Sequence, residues 1–94
     1  MKRNCQKCSD REFEVPEYTL EQKKMLSDLK ANKKLGELIT KIESLHNIKS
    51  IDAKFNFMHI NTKYGKCNRC KVDNLKGEYV ICPKCKALNF NWKV

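Results

Sequence analysis

Glycine is scarce in this chain, with three in 94 residues, and the three are scattered. No Gly-rich loop that could cradle a phosphate can be assembled from them. Serine occurs only as Ser9, Ser27, Ser44 and Ser50, none of them in a nucleophile elbow. No apolar run is long enough to span a membrane. No apolar stretch of the kind a secretory signal needs follows Met1-Lys2-Arg3-Asn4-Cys5, so a reducing, cytoplasmic setting is expected. Acidic residues are also short, 11 against 20 basic ones, for a formal net charge of +9. Together these deficits argue against an enzyme and against a membrane protein. The excess charge suits an anionic partner, nucleic acid first, although a lysine-rich surface also serves plain solubility.

What the chain does have is cysteine in pairs. Six cysteines form three Cys-x2-Cys knuckles: Cys5 and Cys8, Cys67 and Cys70, Cys82 and Cys85. The last two are separated by eleven residues. Two thiolate pairs at this spacing match the four ligands of a tetrahedral zinc ion. A thioredoxin-like redox use would need a βαβ context, which is absent. Val72 is expected to start a strand, Asp73 to Gly77 to turn, and Glu78 to Ile81 to return as a strand, making a β-hairpin between the knuckles. Leu88 to Trp92 alternates and reads as a last strand. On these residues the segment 63–94 resembles the zinc ribbon superfamily. The expected ligands are Cys67, Cys70, Cys82 and Cys85, and the expected cofactor is Zn2+. A chain of this size buries little apolar surface, so binding the ion is expected to drive folding.

The remaining pair, Cys5 and Cys8, leaves several options open. It could join a later knuckle, meet its copy in a second chain to make a dimeric site, stay as reduced thiols, or recruit His46 and His59. The last is disfavoured, because those histidines are thirteen positions apart. Oligomeric state stays open, with a dimer through Cys5 and Cys8 as one form.

Residues 1–17 are thus a knuckle followed by a short strand around Phe13 and Val15, ended by Pro16. Residues 18–62 read as helical. Thr19 and Gln22 form a capping box, and Ala31-Asn32 ends the first helix. Leu35, Leu38, Ile39, Ile42 and Leu45 mark a second helix, which Asn47 can close in the left-handed conformation. Ser50 is the expected N-cap of a third helix, with Asp52 in its first turn. Ile51, Phe55 and Met58 on one face, and Ala53, Phe57 and Ile60 on the next, predict burial on two sides. The span from Ala31 to about Asn61 also faintly resembles the helix pair of the ribosomal stalk protein C-terminal domain. Ile39 and Ile42, the Asn47-Ile48 turn, Asp52-Ala53-Lys54 and Phe57 carry that likeness. Thr40 and Glu43 stand where that family has basic residues, and its turn glycines are missing. The likeness therefore implies a helical hairpin and not translation-factor binding. The expected fold is a small α+β unit: a helical hairpin or three-helix segment packed on a C-terminal β-hairpin zinc ribbon, the segments 1–17, 18–62 and 63–94 forming one compact body.

Residues 63–94 hold eight basic residues against Asp73 and Glu78, which is +6 of the total +9. Four thiolates and one divalent cation change the whole-chain count by −2, from +9 to +7. The aromatics Tyr64, Tyr79, Phe90 and Trp92 lie among these charges. Lys66, Arg69, Lys71, Lys84 and Lys86 are expected to contact phosphates, with Tyr79 or Trp92 stacking on unpaired bases of RNA or DNA. The competing use of the same aromatics is to cover the ribbon's apolar face. The competing function is a protein-interaction adaptor, or an immunity- or antitoxin-type regulator, docking an acidic partner.

Overall fold

A computed structural model of the chain describes residues 2–5 and 9–93. The first element is a hairpin: β1 (Lys2–Cys5) pairs antiparallel with β2 (Ser9–Glu14), Arg3 opposite Phe13, with a register irregularity between Asn4 and Cys5. A strand at Phe13 is expected from the sequence, but its partner β1 is not. Three helices follow: α1 (Leu20–Ala31), α2 (Leu35–His46) and α3 (Ser50–His59). A second antiparallel pair, β3 (Tyr79–Ile81) and β4 (Leu88–Phe90), completes the α+β fold.

The helix boundaries follow their chemistry. The Thr19 hydroxyl accepts the Gln22 N–H at 3.1 Å while the Gln22 side chain accepts the Thr19 N–H at 3.0 Å, the expected capping box. Asn47 closes α2 at φ 51°, as a short amide side chain permits. Ser50 departs from expectation: it is the first residue of α3, and Lys49 takes the cap position with no side-chain hydrogen bond. The other end of α3 is served from outside. The Lys30 Nζ on α1 donates to the carbonyls of Phe57, Met58 and Ile60 at 2.9, 3.2 and 2.6 Å, satisfying groups a helix terminus leaves bare.

One main core joins all three segments. Leu26 of α1, Leu38 and Ile42 of α2, and Ala53 and Phe55 of α3 meet Leu88, Phe90 and Trp92 of the C-terminal segment and Cys5 and Val15 of the N-terminal segment. Phe13 stacks on Phe55 with ring centroids 4.3 Å apart and planes 12° from parallel. The expected two-sided burial of α3 is only partly realised, since Ile51 and Met58 face solvent. The helix instead buries Asn56 and His59. Asn56 links three partners: its amide donates to the carbonyls of Glu14 and Asp52, and its oxygen accepts the Tyr18 hydroxyl. The radius of gyration, 12.2 Å, matches the roughly 12 Å of a compact chain of this length.

Candidate metal centre and the surface around it

The strands are placed differently from the sequence expectation. Val72 starts no strand, while residues 73–77 turn as expected. They are a loop with Asn74 at φ 69° and Gly77 at φ 103° that turns Leu75 inward. The hairpin β3–β4 therefore wraps the second knuckle and carries it at the tip, while the first knuckle rides on the loop leaving α3. That loop is anchored where the Asn61 N–H donates to the Phe90 carbonyl at 3.0 Å.

The two knuckles repeat one geometry. The Cys67 N–H donates to the Val72 carbonyl, and the Cys82 N–H to the Ala87 carbonyl, both at 2.9 Å. In each, the residue after the second cysteine is left-handed: Lys71 at φ 66° and Lys86 at φ 68°. That turn lets two cysteine side chains point to one side. The sulfurs of Cys67 and Cys85 are 3.6 Å apart, as are those of Cys70 and Cys82, and all four lie within 4.8 Å of one another. A disulfide needs about 2.05 Å, far less than this. A tetrahedral ion with metal–sulfur bonds of about 2.3 Å needs sulfurs about 3.8 Å apart. The four cysteines can therefore hold a metal ion, on a small hairpin compatible with a zinc ribbon.

The electrostatics divide the four thiols. Burial raises the Cys67 thiol, but the N–H groups of Arg69 and Cys70, the Asn89 amide and the Cys85 thiol together bring it down to about 6. Cys82 is lowered in the same way: burial raises it, and the N–H groups of Cys85 and Lys84 outweigh that. For Cys70 the Val72 N–H pulls down, yet burial and the neighbouring thiols leave it at about 11. The leading cysteines are thus favoured as thiolates by nearby donors, and the trailing Cys70 is pushed up by burial and the thiols around it. A divalent cation among the four would remove that conflict.

A frame of buried amides, which the sequence does not announce, holds the centre. Asn89 is fully buried between the knuckles; its amide donates to the Cys67 sulfur at 3.6 Å and its oxygen accepts the Asn68 N–H at 2.8 Å. Asn68 donates in turn to the Asn61 side chain and to the His59 carbonyl. Asn91 accepts the Gly65 N–H at 2.6 Å and donates to the carbonyls of Leu75 and Gly77. The available signal is alternation: Asn89 and Asn91 interleave with Leu88, Phe90 and Trp92, a pattern that reads as solvent on one face. Both faces are buried because the loop 61–77 covers the second one.

Among the described residues, the potential ligand group contains neither histidine nor Cys5. The His59 Nδ1 lies 2.7 Å from the Phe55 carbonyl, and His46 Nε2 lies 3.3 Å from Gln22 Oε1. Cys5 is 1% exposed inside the main core, its sulfur accepting the Leu88 N–H at 3.4 Å. The expectation for Cys8 lies outside the described residues.

Of the expected contact residues, Arg69, Lys71, Lys84 and Lys86 are exposed and Lys66 is half-buried. The aromatics do not follow expectation. Trp92 is 2% exposed, packed against Tyr18 and Phe90 at centroid distances of 5.2 and 5.8 Å, and offers no face to a base. Tyr79 is half-buried beneath the Arg3 guanidinium, 4.0 Å above its ring. A domain this small spends its large rings on burial. No helix among the described residues is long and apolar enough to cross a membrane. Compared with protein-family models, with curated proteins and with solved structures, the chain matches none.

Proposed function

We propose that this chain is a zinc-binding, non-enzymatic accessory protein that binds nucleic acid through its basic ribbon. Four sulfur ligands in tetrahedral reach favour zinc or iron, and a closed shell leaves a zinc ion no open position for chemistry. The observation that carries the nucleic-acid reading is the state of the ribbon's cations. Seven of the eight are exposed, and among the described residues none pairs with a carboxylate. Glu78, one of only two acidic residues there, is instead drawn to Lys23 of α1. The ribbon's positive charge is therefore available to phosphates.

The test is titration of labelled oligonucleotides at several salt concentrations. Affinity should fall linearly in a log–log plot as salt rises. Lys84→Glu with Lys86→Glu should flatten that slope by about 0.7–0.9 for each phosphate that is no longer neutralised. Absence of binding to single- and double-stranded RNA and DNA at low salt would remove the reading. Metal analysis of the same sample should show one zinc per chain. The adaptor reading has one observation behind it, an open groove between α1 and α2 lined by Met25, Leu29, Thr40 and Ser44. Its charged members, Glu37 and Lys41, cancel, so it offers no selection for an acidic partner.

A further inference from the structure

With Trp92 buried and Tyr79 half-buried beneath Arg3, Tyr64 is the ribbon's exposed aromatic, at 41% exposure. Its ring stands between two clefts and lines both. One, of about 650 Å³, is flanked by Lys63 and Lys76, with Asp73 at its side. The other, of about 310 Å³, is lined by Lys93, by the ion pair of Lys23 with Glu78, which leaves it net positive, and by Leu20, itself 69% exposed. The Lys93 Nζ lies 5.6 Å from the ring centroid, within cation–π range. The ring's support is rigid: the next residue, Gly65, turns at φ 88° with its N–H held by the buried Asn91 side chain and its carbonyl accepting the Leu75 N–H at 2.8 Å. An exposed ring on a fixed turn, with ammonium groups beside each cleft, loses little freedom when a flat partner settles on it.

We propose that Tyr64 is a stacking platform for unpaired bases, so that the ligand is single-stranded nucleic acid, with Lys63, Lys76 and Lys93 taking the phosphates on either side. The inference rests on the nucleic-acid reading and deepens it. Only an unstacked base can present its π-face to a protruding ring, and a duplex keeps its bases stacked on one another. Every base has such a face, so tolerance of sequence is expected. The single carboxylate in the larger cleft, Asp73, is outnumbered by Lys63 and Lys76 and leaves the cleft net positive.

The experiment uses the full, metal-loaded chain and four fluorescent probes: a 15-nucleotide poly-dT, the matching poly-rU, a 15-base-pair duplex and an oligo-glutamate peptide, each read by anisotropy. The single strands should bind more tightly than the duplex. Tyr64→Ala and Tyr64→Leu should each weaken single-strand binding about 5- to 150-fold, the range that stacking of one base spans. Tyr64→Phe should stay within about twofold of the unaltered chain, and duplex binding should not change. Tyr64→Leu keeps the apolar bulk, so with unchanged metal content and circular dichroism its loss of affinity reports the π-face and not misfolding. If the chain binds nucleic acid but Tyr64→Leu binds single strands as well as before, or if the duplex binds as tightly as the single strands, the Tyr64 site is wrong while the broader reading stands. If no oligonucleotide binds at low salt, or only the glutamate peptide does, both fall.

Discussion

Lys71 and Lys86 occupy left-handed backbone at φ 66° and 68°, a conformation that a side chain with a Cβ resists and glycine adopts freely. Both sit in the closing turn of a knuckle, so each stores strain next to a cysteine of the four-sulfur cluster. Lys71→Gly and Lys86→Gly should each raise stability by about 0.5–1 kcal/mol in thermal unfolding of the metal-loaded chain. A second residue-scale consequence concerns Lys30. Burial pulls its ammonium down from 10.5 to about 8, with Lys71 adding repulsion. The unfolded chain therefore holds more protons than the folded one between about pH 8 and 10.5, so this group's contribution makes stability rise with pH across that window. The midpoint temperature measured at pH 8, 9 and 10 should carry that upward contribution. Lys30→Met should remove it, while lowering stability throughout by leaving three carbonyls of the α3 end without their donor.

At the scale of elements, the loop 61–77 behaves as a lid on β4, fastened by side-chain amides. Asn91 alone serves three of its backbone groups, at Gly65, Leu75 and Gly77. Asn91→Leu would keep the volume and strand the two buried groups, at Gly65 and Leu75, at a cost of about 2 kcal/mol or more. Hydrogen exchange should show the amides of 61–77 opening sooner than those of α2, because the damage falls on the loop. The N-terminal hairpin is fastened by different means: Phe13 on Phe55, the Glu14 N–H on the Asp52 carboxylate at 3.1 Å, and Arg3 over Tyr79. It thereby touches both α3 and β3.

For the whole molecule, the C-terminal segment and the helices share one core, and are expected to unfold together. Phe90 and Trp92 belong to the ribbon by sequence and to the helical core by position. A structural zinc contributes roughly 10–16 kcal/mol of apparent binding energy, comparable to the entire stability of a small domain. Removing the metal with a chelator under reducing conditions should therefore abolish the helical circular dichroism together with the ribbon's order, in one cooperative transition. Helices that kept their signal after complete metal loss would show two separable units instead.

The sequence by itself determined the periodic and the local features. The helix breaks at Asn32 and Asn47, the Thr19 cap and the four-cysteine spacing depend on neighbours within a few residues, and such short-range chemistry is legible in one dimension. Ser50 missed its cap position by one residue, and Val72 starts no strand, whereas Asp73 to Gly77 turn as their composition predicts, with Asn74 and Gly77 in left-handed backbone. Tertiary structure alone decided how the asparagines and aromatics were used. Asn89 and Asn91 look solvent-facing until a loop more than a dozen residues upstream folds over them. Tyr64, Tyr79 and Trp92 are chemically alike along the chain, and only packing sorts them into one exposed ring, one covered ring and one buried indole. Burial is a property of everything that surrounds a side chain, and most of what surrounds these is distant in sequence.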